Sequence, residues 1–172
     1  MSEDIRVELI EMEDLSKKNV ELASIAIKDN NVLSKILEGL DDEDFRVRWG
    51  SLRVIREIAS RKPELLRDHV NKIVELMKDR NTIVRNHASL VILKLSKVDP
   101  KSVLEYAEEY LKLLEDEDAH YRVDAINLLG NLKDVEASLF RKYKKKLEEM
   151  LKKEENPLVI NAIKYVLKSQ RT

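Results

Sequence analysis

The sequence predicts an all-α fold of stacked helical hairpins, and three observations carry that prediction. First, five columns of apolar or small residues recur every 37 positions through four copies. They are Ile36/Ile73/Tyr110/Leu147, Leu40/Met77/Leu114/Leu151, Val47/Val84/Tyr121/Leu158, Ser51/Ala88/Ala125/Ala162 and Ile55/Ile92/Leu129/Val166. A fixed period of this length marks a repeat architecture. Second, apolar residues within a period keep helical spacing: Val47, Ser51, Val54, Ile55 and Ile58 fall at i, i+4, i+7, i+8 and i+11, one helix face. Third, the 172 residues include only 3 Gly, 3 Pro and 5% aromatics, too little turn and strand chemistry for a sandwich or barrel. One domain is expected from this length.

In chain order, residues 1–30 do not fit the period and read as a degenerate N-terminal cap pair, helix A near 3–13 and helix B near 17–29. Copy one, 31–66, has a short amphipathic helix A on Leu33, Ile36, Leu37 and Leu40, then helix B from Val47. Copies two (68–103) and three (105–139) repeat the pattern. Copy four, 141–172, keeps the five columns, while Glu148 breaks a sixth formed by Leu37, Val74 and Leu111. Pro63, Pro100 and Pro157 suit a first helical position, where the missing N–H costs nothing, and Asp99 and Asn156 precede two of them as cap acceptors. A lone hairpin cannot bury both faces, whereas stacked neighbours can.

The turn between the helices has its own signature. Asp42, Asp79 and Asp116 are each followed at +5 by Val47, Val84 or Tyr121 and at +6 by Arg48, Arg85 or Arg122. With the period, this resembles the HEAT repeat over residues 31–172. The resemblance implies a right-handed α–α superhelix in which those aspartates and arginines form a structural ladder between neighbouring repeats. Copy four departs, with Lys153 for the Asp and Val159 for the Arg, so the ladder is expected to stop there. It also implies B helices on a concave, partner-binding side. The residues predicted there include Trp49, Arg53 and Arg56 in copy one, His87, Leu90 and Lys94 in copy two, Asp124 and Asn127 in copy three, and Lys164 in copy four.

The expected function is a non-catalytic scaffold holding a partner protein or peptide in that groove. Trp49, the single tryptophan, sits among arginines as interface anchors do; the competing reading places it in the core between repeats. Nucleic-acid binding is the alternative, through copy one's arginines and the basic run 141–153, though helix-face solvation also explains such a run. A net charge of −1 argues against it for the whole chain. An alkylpurine DNA glycosylase-like activity is a third reading. It is weakened because Trp49 and Asp124 lie two repeats apart, about 20 Å at roughly 10 Å per layer. No catalytic residue, metal site or cofactor is predicted. His69, His87 and His120 share no column, cysteine is absent, and no phosphate-binding or zinc-protease motif occurs. No apolar run approaches a membrane span. The acidic N-terminus resembles no secretory or transit signal, so a cytoplasmic location is expected. A charged fraction of 38% with a single glutamine leans toward a thermophile source. The apolar helix from Pro157, carrying Val159 and Ile163, suggests a homodimer through the C-terminal repeat.

Overall fold

The computed structural model describes residues 3–10 and 15–168. Among the described residues there are helices and turns and no strand. The chain divides into two compact units, Met1–Val98 and Asp99–Thr172.

In the first unit, α1 (Glu3–Ile10) and α2 (Leu15–Ala26) form the N-terminal pair. The helix expected to reach residue 29 stops at Ala26, because the Asp29 carboxylate instead caps the next helix through the N–H groups of Asn31 and Val32. That helix is α3 (Asn30–Glu38), tightened at its end into a 3₁₀ turn, Gly39–Asp41. α4 (Phe45–Arg61) is capped by Asp44, and α6 (Thr82–Val98) is its equivalent in copy two. Helix A of copy two is not one α-helix: α5 (Val70–Glu75) lies between 3₁₀ segments Pro63–His69 and Leu76–Lys78. α4 packs between α2 and α6, with α1 against its N-terminal half. The core is the predicted one, with Ile36, Leu40, Val47, Ile55, Ile58, Ile73, Val84 and Ile92 all buried.

One glycine of this unit permits a close helix crossing. A Cβ at Gly50 would lie 2.3 Å from the Leu9 carbonyl oxygen and 2.9 Å from the Leu9 Cβ. Only hydrogen at this position lets the α1 backbone settle on α4.

In the second unit, a 3₁₀ segment from Pro100 leads into α7 (Ala107–Tyr110) and a further 3₁₀ segment, Leu111–Glu115. Asp99 occupies the cap position of the first segment, but its side chain makes no capping bond there. α8 (Ala119–Leu132), α9 (Ala137–Lys153) and α10 (Pro157–Lys168) follow, and α8 packs on the Leu111–Glu115 segment, α9 and α10. A Cβ at Gly130 would lie 2.9 Å from Val166 Cγ2, so its absence lets α10 approach α8 closely.

Copy four shifts by one residue. Leu158, expected in the core column of Val47 and Val84, is 56% exposed, whereas Val159 and Ile163 are fully buried. The first three A helices end in 3₁₀ geometry, while α9 stays α-helical to Lys153. Three 3₁₀ residues and four α residues each advance about 6 Å, so an α-helical ending needs one residue more to reach the same turn. Val159 and Ile163, named for the expected homodimer face, are thus buried within the chain, while Leu158 and Tyr165 of the same helix are exposed.

Candidate protein-binding face and the joints between repeats

The turn acids and arginines form joints whose geometry explains their spacing. Asp42, Asp79 and Asp116 each accept, through a carboxylate oxygen, the N–H two residues on, at 2.9, 2.7 and 2.8 Å. This side-chain turn fixes the chain between helices. Six residues after each acid, at the fourth residue of the next helix, the arginine reaches back. Arg48 Nη1 donates to the carbonyls of Asp42 and Glu43 at 2.6 and 3.0 Å. Arg85 does so to Asp79 and Arg80 at 2.8 and 3.2 Å, and Arg122 to Asp116 and Glu117 at 2.8 and 2.9 Å.

The rest of the guanidinium crosses to the following turn in two cases. Arg48 grips Asp79 through Nε at 2.7 Å and Nη2 at 3.0 Å, a bidentate pair with both side chains 8% exposed. Burial pushes the Asp79 carboxyl up, but the hydrogen bonds from Arg48 and the Asn81 N–H, with the Arg48 charge, outweigh it and hold it below the usual carboxylate range. Arg122 makes the same fork to Glu154, at 3.1 and 3.0 Å. Glu154 also accepts the Asn156 N–H at 3.0 Å. The ladder therefore does not stop at copy four. Its acid is Glu154, one position beyond Lys153, consistent with the register shift. Arg6 of α1 supplies a further rung to Asp42 at 3.1 Å. Arg85 spends its other amino group on the Thr82 hydroxyl at 2.8 Å.

Each joint also holds a helix cap, of which the sequence reading named only Asn156. Asp44, Asn81, Asp118 and Asn156, each two residues after the turn acid, cap helix B through the N–H groups of Arg46, Ile83, His120 and Leu158. The hydrogen bonds of Arg46 hold the Asp44 carboxyl down at about 2. The readable signal was an acid-x-Asp/Asn triplet, which in copy four stands at Glu154-Glu155-Asn156.

Between α4 and α6 the structure brings together Trp49, Arg53 and His87; Arg53, expected on the partner-binding face, is instead buried, 6% exposed. The Trp49 indole Nε1–H donates to His87 Nε2 at 3.0 Å, with the rings edge to face, 5.7 Å between centroids. Because Nε2 accepts, the imidazole proton sits on Nδ1 and donates to the Ile83 carbonyl at 3.1 Å. The Arg53 guanidinium stacks 4.7 Å from the Trp49 ring centroid, a cation–π contact, and gives a hydrogen bond to Asn19 of α2 at 3.1 Å. Trp49 is thus half-buried and joins two repeats. Arg56 and Lys94 are half-buried on the same face, and Leu90 is exposed. Asp124 and Asn127, half-buried on α8, and Lys164, exposed on α10, belong to the second unit.

Burial lowers the His87 pKa below its ordinary value; the Ile83 hydrogen bond opposes that, and the charges of Arg56 and Arg53 add to it. A depressed histidine contributes stability that is complete above the unfolded value, near 6.5, and is lost as pH falls through the folded one. Protonated Nε2 cannot accept the indole proton. The fluorescence of Trp49 is therefore expected to change in a titration whose midpoint lies below 6.5, and His87→Ala should give a flat trace. A midpoint above 6.5 contradicts the assignment.

The basic run 141–153 is partly neutralised within its own unit. Lys142 pairs with Glu108 at 2.6 Å and Lys146 with Glu115 at 2.7 Å, while the Tyr143 hydroxyl donates to Glu108 at 2.7 Å. Burial, followed by the Glu108 hydrogen bond, raises that phenol to about 12. Among the described residues no group of three or more His, Asp or Glu side chains could hold a metal ion, and no helix is long and apolar enough to cross a membrane.

No curated protein matches the chain in sequence. Among solved structures it is similar to computationally designed armadillo repeat proteins for modular peptide recognition, with TM-score 0.65 and 19% identity over 96% of this chain and 80% of that one. A designed armadillo repeat protein in complex with the peptide (KR)4 gives TM-score 0.65 and 17% identity, over 94% of this chain and 79% of that one. The archaeal HEAT-like repeats protein from Thermococcus onnurineus NA1 gives TM-score 0.63 and 23% identity, over 95% of this chain and 63% of that one. These likenesses, at such identities, speak to the fold. Residues 12–171 match the family model for the adaptin N terminal region. With its 37-residue hairpins and turn joints, the chain belongs to the adaptin N-terminal region family and is built of armadillo/HEAT-like repeats.

Proposed function

We propose that this chain is a non-catalytic module that holds a segment of a protein or peptide against the paired faces of α4 and α6. The observation that carries the reading is the placement of Trp49 and Leu90. Two packed helices carry a half-buried Trp49 and an exposed Leu90 among cations. An aromatic anchor beside arginines is the composition of binding hot spots. The joint with His87 and Arg53 holds the indole in one orientation, which lowers the entropy lost on binding. Peptide recognition by the designed armadillo repeat proteins of similar fold supports the same use here.

Selection of a random peptide library on the purified chain tests the reading. Enriched peptides are expected to lose about tenfold or more in affinity, roughly 1.4 kcal/mol, on Leu90→Asp. Leu158→Asp, at a more exposed leucine of the second unit, should leave binding unchanged. Equal loss at both positions, or none at Leu90, would exclude the α4–α6 face.

A further inference from the structure

We infer that the segment bound by this face is acidic: a peptide stretch that sets carboxylates against Arg56, Lys94 and Lys97 and an apolar side chain against Leu90. The inference rests on the peptide-binding reading and specifies its ligand. Trp49, Arg53 and Arg56 follow one another at i, i+4 and i+7 along α4, a single stripe. His87, Leu90, Lys94 and Lys97 do the same on α6 at i, i+3, i+7 and i+10. The Trp49–His87 hydrogen bond brings the two stripes side by side.

What marks this face is that its cations lie along two adjacent stripes with little acid beside them. Elsewhere in the unit Arg6, Arg46, Arg48 and Lys72 each hold a carboxylate, from Asp42, Asp44, Asp79 and Asp41. Among the described residues Arg56, Lys94 and Lys97 pair with none. Glu57 is the only acid in α4, and α6 has none at all. The field is felt by the groups beneath: Arg53 and His87 are both pushed toward neutrality, by burial first and then by the neighbouring arginine charge. Stacked helices that carry these cations, with no carboxylate partner among the described residues, around one apolar side chain, match an acidic segment in charge. An extended peptide suits the stripes, because alternate side chains fall on one side about 7 Å apart.

Fluorescence anisotropy with three labelled probes tests this: the octapeptide Asp-Glu-Asp-Leu-Glu-Asp-Glu-Asp, the octapeptide (Lys-Arg)4, and an eight-nucleotide oligothymidine. The acidic peptide is expected to bind about tenfold or more tighter than either competitor. The double variant Arg56→Glu with Lys94→Glu should lose about tenfold for it. Circular dichroism and melting of that variant check that the fold persists, and Arg56→Gln with Lys94→Gln gives the same direction without charge reversal. If (Lys-Arg)4 binds as well as the acidic peptide, the acidic assignment fails while peptide binding stands. If oligothymidine binds tightest, the face reads phosphate, and if the variants bind the acidic peptide as well as the parent, another surface holds it; either overturns the inference. Binding of no probe, together with no peptides from the library, overturns both readings.

Discussion

Asp79→Ala is expected to destabilise the protein by about 3–5 kcal/mol, the cost of leaving a buried charge without its partner. Arg48 would keep its two carbonyl acceptors but lose both bonds to a carboxylate that is itself 8% exposed. The turn would also lose the acceptor of the Asn81 N–H. Chemical denaturation of the parent and variant measures this directly. Replacing both partners with apolar residues, Arg48→Met with Asp79→Leu, should recover part of the loss, because a pair removed whole leaves no orphaned charge. The acid limb supplies an independent check. The Asp79 carboxyl is held below its unfolded value, near 3.9, so the unfolded chain binds the proton more readily. The pair's contribution is complete above that pH and is lost as pH falls through the lower, folded value. The parent should therefore lose more stability than Asp79→Asn on acidification below about pH 4. Parallel acid limbs would mean that the pair contributes nothing.

Gly50→Ala should release α1 from the body of the first unit. Alanine is favoured over glycine inside a helix by roughly 1 kcal/mol, so a free α4 surface would be stabilised by the change. Here the new methyl group would lie 2.3 Å from a backbone oxygen, which no side-chain rotation can clear. Overpacking of this kind costs typically 1–3 kcal/mol, and moving α1 away also exposes Leu9 and Ile5 and breaks the Arg6–Asp42 rung. Hydrogen exchange should show residues 3–10 losing protection while α4 and α6 keep theirs. Gly130→Ala is the contrasting case, because its new methyl would meet Val166 Cγ2 at 2.9 Å, a side-chain atom that can yield. Its loss should be smaller. Unchanged protection of residues 3–10 in Gly50→Ala would refute the close-approach account.

The repeat itself was legible in the sequence for a simple reason. Burial in stacked hairpins recurs at a fixed spacing, so Ile36, Ile73, Tyr110 and Leu147, all fully buried, announce the fold without reference to any contact. The +6 spacing from acid to arginine was equally legible, because it reflects a local reach from the first turns of a helix back to its own preceding loop. Tertiary structure alone decided what depends on helix endings and on approach between elements. Whether helix A ends as 3₁₀ or α set the register of copy four, and with it the choice of Val159 over Leu158 for the core and of Glu154 over position 153 for the ladder. The role of Gly50 required knowing that the Leu9 backbone crosses it. The setting of Trp49 required knowing that His87, 38 residues away, offers an unprotonated nitrogen. Periodicity encodes which side of a helix is buried; which atoms meet there is decided only when the helices pack.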